Sequence, residues 1–357
     1  MNPLKPLSSS RPDLSFIVPM YNEEDVVPVF FDRIFEVIGK LELSVEIVCV
    51  NDGSTDATVS LLREYRSRDS RVKYIDFSRN FGKEIALTAG LDHASGKAVI
   101  ILDADLQDPP ELIFAFVEKW REGYEVVYGA RRSRDADSWL KKATASAFYR
   151  LMDRIAGVGI PSDAGDFRLM DRRVVDALSG VRERNRFMKG LFAWVGYKHI
   201  GIPYDRPERA AGGTKFGFWR LWNFALDGIT GFSTLPLRFA GYLGLLVATL
   251  SILYGAYLLV WTLAFGRDVP GYASLMVSVL ILGGLQLMFL GVIGEYIGRI
   301  YEETKQRPIY LIQHSAGFDN SAATSRAAFD LSHSAGLLSD QQLAARAHRE
   351  GFPPGTG

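Results

Sequence analysis

The chain has 357 residues with 41 basic and 41 acidic side chains, five histidines and a single cysteine. Balanced charge excludes a nucleic-acid binder that relies on global attraction to phosphates. One cysteine excludes a disulfide framework and fits a reducing compartment, and the scattered histidines offer no zinc constellation.

In chain order, residues 1–12 are polar and lack an apolar core, so a flexible N-terminus without a cleaved signal peptide is expected. Residues 13–205 then alternate strand-like and helix-like patterns, within a catalytic domain expected over 13–215. Strands are predicted at 14–18, 45–50, 72–77, 98–102 and 125–128, with amphipathic helical segments such as 26–38 between them. This βαβ alternation predicts an α/β domain: a mainly parallel sheet with helices on both faces and a ligand crevice at the strands' carboxyl ends. Cys49 falls inside the second strand, where a buried side chain is expected and not a reactive thiol.

Polar residues gather where the crevice should lie. Pro19-Met20-Tyr21-Asn22-Glu23-Glu24 follows the first strand, Asn51-Asp52-Gly53-Ser54-Thr55-Asp56 the second, and Ser78-Arg79-Asn80-Phe81-Gly82-Lys83 the third. Any one of these could be only a turn or a helix cap. Four such segments at equivalent strand ends converge on one site. A glycine-rich dinucleotide fingerprint and a phosphate loop are both missing, so those two ligand classes are excluded.

The fourth segment is the most informative. The run 98–111 leads from an apolar strand into Asp103-Ala104-Asp105-Leu106-Gln107-Asp108. Asp103 and Asp105 share a face if the segment is extended, and Gln107 continues that parity. Hard oxygen ligands of this kind suit Mg²⁺ or Mn²⁺ placed to neutralise a diphosphate. The alternative is a solvated acidic turn capping the helix that Pro109-Pro110 begins.

The later chain is apolar. Residues 216–227 are rich in Trp and Phe, which predicts an amphipathic helix in the membrane interface over 216–234, with a soluble core helix as the alternative. Residues 239–265 and 269–294 carry no charge, and each exceeds the roughly 20 residues that cross a bilayer. Transmembrane helices are therefore expected at 235–265 and 269–300, as a tight antiparallel hairpin. Arg220 and Arg238 precede it and Arg299, Lys305 and Arg307 follow it, so the positive-inside bias puts both flanks, and with them both termini, in the cytosol. Residues 311–357 turn to Ser, Ala, Gly and His, and a mostly disordered tail is expected.

Taken together, Pro19-Met20-Tyr21-Asn22-Glu23, Asn51-Asp52-Gly53-Ser54-Thr55-Asp56, Asp103-Ala104-Asp105-Leu106-Gln107-Asp108 and the switch to a membrane segment resemble family 2 glycosyltransferases. More narrowly, residues 13–310 resemble the polyprenyl-phosphate group, which includes dolichol-phosphate mannose synthases and bactoprenol glucosyltransferases. The resemblance implies a GT-A nucleotide-diphospho-sugar fold and an inverting transfer. It implies that Pro19, Tyr21, Glu23, Asp52 and Lys83 hold the nucleotide-sugar donor, with Asp103 among them, and that Asp103, Asp105 and Gln107 bind Mg²⁺ or Mn²⁺. The segment 163–169 resembles the acceptor-side motif, which makes Asp166, with Asp105, a catalytic candidate. Arg131, Arg209 and Lys215 match positions that contact phosphate groups; Thr214 stands where Ser is common before that lysine.

The expectation that follows is transfer of one hexose, first glucose from UDP-glucose, to undecaprenyl phosphate at the cytosolic face of the inner (plasma) membrane. A mannose synthase using GDP-mannose and a non-catalytic, membrane-anchored nucleotide-binding scaffold are the alternatives. A processive polysaccharide synthase would need an acceptor-site Gln-x-x-Arg-Trp, and Arg186-Phe187-Met188-Lys189-Gly190-Leu191-Phe192-Ala193-Trp194 stands in the comparable region. Two helices are too few to flip the product, so a separate flippase is expected. Gly241, Gly244, Gly283, Gly284, Gly291 and Gly294 would let the hairpin pack closely, either internally or against a copy of itself as a homo-oligomer.

Overall fold

The computed structural model describes residues 11–132, 164–184, 186–205, 230, 233–265 and 271–318. Eight strands form one sheet: β1 (Leu14–Met20), β2 (Val45–Asn51), β3 (Val72–Phe77), β4 (Ala98–Ile101), β5 (Val126–Arg131), β6 (Ala164–Asp171), β7 (His199–Tyr204) and β8 (Ile312–Ala316). Their spatial order is β7-β5-β6-β4-β1-β2-β3-β8. The run β4-β1-β2-β3 is parallel, and so is the pair β5 and β7. The antiparallel strand β6 lies between β4 and β5 and joins the two groups, and β8 closes the far edge antiparallel to β3.

Apolar strands with no polar alternation need cover on both faces, and they have it. Helices α1 (Val26–Gly39), α2 (Thr58–Arg68) and α4 (Leu112–Arg121) pack on one face, where Phe16, Phe30, Phe31, Ile47, Ile100 and Phe116 are buried. Helices α3 (Lys83–His93), α5 (Arg172–Gly180) and α6 (Met188–Trp194) cover the other, against Ile17, Val99, Ile101 and Met170. The alternation Phe16-Ile17-Val18 thus feeds the two layers by turns. Cys49 is buried, and burial pushes its thiol well above the ordinary range.

Helices α7 (Leu235–Phe265) and α8 (Tyr272–Thr304) are each long and apolar enough to cross a membrane, and their most apolar stretches are not buried against the rest of the protein. Tyr296 Oη donates to the carbonyl of Ser233 at 2.6 Å, tying the end of α8 to the start of α7. Along the pair, a Cβ on Gly244 would stand 3.5 Å from the Phe289 ring.

Two expectations change here. A disordered tail from residue 311 does not hold for 311–318, because β8 pairs with β3 over Tyr74–Phe77. Short and polar, Ile312-Gln313-His314-Ser315-Ala316 has no period to announce a strand; the open edge of β3 supplies the order. Strands β6 and β7 extend the sheet beyond the five that periodicity identifies.

Candidate active site

The loops after β1 and β2 are stitched together. Asn22 takes a left-handed conformation with φ 52°, its amide donates to Ser54 Oγ at 2.8 Å, and its side-chain oxygen accepts from the Thr55 amide at 2.9 Å. The Glu23 amide donates to Thr58 Oγ1 at 2.9 Å. Gly53, at φ 65°, sits so close to the next loop that a Cβ would stand 2.6 Å from the Asn80 amide nitrogen and collide with Arg79. Pro19 lies inside β1, paired with Val50, and Tyr21 beyond it is 46% exposed.

Asp52 is buried beneath the crevice. Its two oxygens accept from the amides of Phe81 at 2.6 Å and Gly82 at 2.9 Å, so it holds the loop from which α3 springs. Burial raises its carboxyl above the usual range against the pull of those two amides. Gly82, at φ 99°, turns the chain into α3 and delivers Lys83 to the crevice.

Lys83 is the hub. Its Nζ lies 2.7 Å from Asp103 Oδ1 and 2.8 Å from Asp166 Oδ2, joining the end of β4 to β6. Burial works against the ammonium, but Asp103 and Asp166 outweigh it and hold Lys83 above the ordinary lysine value. Asp166 is opposed by burial too, yet Lys83 and Lys189 keep it below the usual carboxylate range, while burial leaves Asp103 above it.

Asp103 and Asp105 do not converge by strand alternation. β4 ends at Ile101, and residues 103–107 form a turn in which Leu106 has φ 49° and the Gln107 amide donates to Asp105 Oδ1 at 3.2 Å. The turn leaves Asp105 exposed. Across from it, Glu23 is pushed up first by burial and then by the charges of Asp105 and Asp103. Among the described residues no three acidic, histidine or cysteine side chains form a ready-made cage. Two carboxylates on one turn are still a fitting donor set for a hard divalent cation that keeps waters and takes its other ligands from substrate phosphates.

On the other flank, Arg131 closes β5. Its Nε donates to Tyr204 Oη at 3.3 Å, its Nη2 lies 3.9 Å from Asp108, and Tyr204 Oη in turn donates to Asp108. Burial and that bond push the Tyr204 phenol up to about 12. Arg168, two residues past Asp166 on the same face of β6, is buried, donates to the Gly165 carbonyl at 2.7 Å and lies 3.8 Å above the Phe192 ring of α6. Burial pushes it down to about 10. Beside Lys83, the Glu84 carboxylate accepts from the Met188 amide at 3.2 Å, and burial together with Asp166 raises it to about 7.

The crevice thus brings together Glu23, Lys83, Asp103, Asp105, Asp166 and Arg131, with Gln107 in the same turn and Tyr21 at its rim. Arg209 and Lys215, and residues 216–229 of the interfacial segment, lie outside the described residues. Glu84, Arg168 and Tyr204 were not singled out by sequence. Arg168 had a signal in its spacing from Asp166, whereas Tyr204 ends a strand with no visible period.

Residues 15–179 match the glycosyl transferase family 2 profile, and residues 235–300 match that of the GtrB C-terminal hairpin. An uncharacterized glycosyltransferase of Synechocystis sp. is 54% identical over 86% of this chain and 96% of its own. The SfII prophage-derived bactoprenol glucosyl transferase of Shigella flexneri is 51% identical, covering 85% of this chain and 98% of its own. A prophage bactoprenol glucosyl transferase homolog of Escherichia coli K12 is 50% identical over 84% and 98%. Among solved structures, a mannosyltransferase from Pyrobaculum calidifontis in complex with GDP-Man and Mn²⁺ aligns over 81% of this chain and 88% of its own, at 18% identity and a TM-score of 0.39. With about half of all positions shared across nearly the full length of these bacterial and phage relatives, the chain belongs to the family 2 glycosyltransferases that carry a GtrB-type C-terminal hairpin.

Proposed function

We propose that this protein transfers one hexose, first glucose from UDP-glucose, to the phosphate of undecaprenyl phosphate at the cytosolic face of the membrane. The observation that carries the proposal is the 51% identity to a bactoprenol glucosyl transferase through the catalytic region and the hairpin alike. In the reaction an acceptor phosphate oxygen attacks the sugar's anomeric carbon, the bond from that carbon to the diphosphate breaks with inversion, and UDP leaves with the electron pair.

A phosphate monoester has a second pKa of about 6, so the acceptor is already largely ionised near neutral pH and needs no strong base. Asp166 suits that chemistry: held ionised by Lys83, it is a weak proton acceptor, and its role is to orient Lys83 and the incoming acceptor. Asp103 and Asp105 would hold Mg²⁺ or Mn²⁺, which supplies charge neutralisation for the leaving diphosphate. Arg131, Arg209 and Lys215 add fixed cations for phosphate oxygens, the preorganised electrostatics that dominate such transfers. Tyr21, Glu23 and Pro19 line the nucleotide side, while Asp52 shapes it through the loop at Phe81 and Gly82.

The two apolar helices would anchor the domain as a hairpin with both flanks cytosolic, the basic residues Arg238 and Arg299 lying at its cytosolic end. The test is to incubate detergent-purified protein with Mn²⁺, undecaprenyl phosphate and radiolabelled UDP- and GDP-sugars. Label from UDP-glucose that enters organic solvent and is abolished by EDTA is expected. Label from another donor alone would overturn the sugar, and none from any donor would overturn the transfer.

A further inference from the structure

Lys189 sits in the first turn of α6, half-buried, and among the described residues it forms neither an ion pair nor a hydrogen bond. Its helix is fastened to the catalytic crevice at three points. The Met188 amide donates to Glu84 at 3.2 Å, Met188 Sδ lies 4.0 Å from Thr88 Oγ1, and the Phe192 ring lies under Arg168 at 3.8 Å. Glu84 follows Lys83, whose Nζ is 2.8 Å from Asp166. The first turns of α3 and α6 therefore meet beside Asp166, and the Lys189 charge is felt at both carboxylates, after burial and Lys83 at Asp166, and after burial, Asp166 and Lys83 at Glu84.

Of the other cations of the described crevice, Lys83 and Arg131 each face a carboxylate, and Arg168 is buried against the Phe192 ring. Lys83 divides its charge between Asp103 and Asp166, and Arg131 is held by Tyr204 beside Asp108. A phosphate dianion approaching Asp166 meets a carboxylate first, so a further cation that faces no carboxylate within ion-pair distance favours its approach. We propose that Lys189 is a phosphate-binding residue of the transfer site, meeting a phosphate group of a reactant on the Asp166 side of the crevice. This rests on the sugar transfer proposed above. The phosphate belongs either to the lipid acceptor or to the nucleotide diphosphate, and a lysine recognises both by the same charge-assisted hydrogen bonds.

The test uses full-length protein in detergent, with Lys189→Ala, Lys189→Gln and Lys189→Arg. Two constants are read: KM for undecaprenyl phosphate in the sugar-transfer assay, and Kd for UDP with Mn²⁺ by calorimetry. A rise of about tenfold or more in one of them for Ala and Gln, restored to within about threefold by Arg, is expected from losing one charged contact to phosphate. A rise in KM alone assigns the lipid phosphate, and a rise in Kd assigns the diphosphate. If both constants stay within about twofold while only melting temperature or kcat moves, Lys189 is structural and the proposal is overturned. Gln preserves the stem's length, so it decides the matter if the Ala variant does not fold. Wild-type protein that binds UDP yet transfers sugar to no lipid would overturn the transfer itself, and the acceptor assignment with it.

Discussion

Replacing Glu84 by Gln tests the electrostatics of the crevice without touching its proposed metal ligands. Glu84 is half-buried at the head of α3, accepts from the Met188 amide, and carries a carboxyl raised from 4.5 to about 7 by burial and by Asp166. Below about pH 4.5 the carboxyl is protonated in both folded and unfolded chains, and its contribution to stability is complete. As pH rises the unfolded chain ionises first, so stability is lost until the folded carboxyl also ionises near 7. At about 1.4 kcal/mol per pKa unit the full shift would cost up to about 3 kcal/mol, and solvent reaching the half-buried group reduces this to about 1–2 kcal/mol. Gln keeps an oxygen for the Met188 amide and has no charge to desolvate. Its melting temperature, followed by intrinsic fluorescence in detergent from pH 5 to 8.5, should therefore fall less than that of the wild type. The gap expected at pH 8 is several degrees, at about 2–4 °C per kcal/mol for a domain of this size. Wild-type and variant curves that run parallel through pH 7 would refute the placement of Glu84 in a low-dielectric, carboxylate-flanked position.

Asp105→Ala should fold normally, because the side chain is exposed and its one bond is to the neighbouring Gln107 amide, yet lose at least about 100-fold in metal-dependent sugar transfer. Turnover retained in a radiolabel assay would remove Asp105 from the metal site. Gly53→Ala should destabilise by about 1–3 kcal/mol in chemical denaturation, since φ 65° strains any L residue and the new Cβ strikes the Arg79–Asn80 backbone. Tyr310→Ala removes a ring stacked 5.3 Å from Phe77 and the bond from its hydroxyl to Asp92 at 2.9 Å. A loss of about 2–4 kcal/mol is expected, read as a lower melting temperature and faster proteolysis after residue 305.

Local chemistry explains which parts of this molecule were legible. The buried parallel strands declare themselves as apolar runs such as Ala98-Val99-Ile100-Ile101-Leu102, and the loops after them carry Asp, Asn and Gly because the turns require them. The hairpin is read from charge-free length alone. β6 was visible only through its resemblance, since Ala164-Gly165-Asp166-Phe167-Arg168-Leu169 places two charges on one face of a strand, against the usual pattern. Those charges are there because β6 crosses antiparallel between β4 and β5 at the crevice, where Asp166 meets Lys83. The turn at Asp103 shows a different failure: alternation brings residues two apart together only while the strand lasts, and β4 ends before the carboxylates begin.

The segment after α8 ties the apolar helices to the catalytic domain. Where α8 leaves its apolar stretch, Glu303 accepts from the Arg184 amide at 2.6 Å, and the Arg184 guanidinium reaches the Arg307 carbonyl at 3.0 Å. Three residues later Tyr310 stacks on Phe77 and bonds Asp92, which also pairs with Arg182 at 2.7 Å. The Ser78 amide then donates to the Leu311 carbonyl at 3.0 Å, and β8 continues along β3. Each contact touches an element that serves the crevice. The segment at Arg184 leads into α6, Asp92 lies near the end of α3, and Ser78 opens the loop that ends in Lys83. A soluble domain on a flexible tether could meet a lipid headgroup in any orientation. Here the second apolar helix is fastened within a few residues to α3 and to the segment that leads into α6, so a bilayer around that helix would fix the height and tilt of the crevice. The sheet edge that β8 covers would otherwise expose a row of unpaired backbone groups on β3, so the same five residues protect the fold and set its geometry.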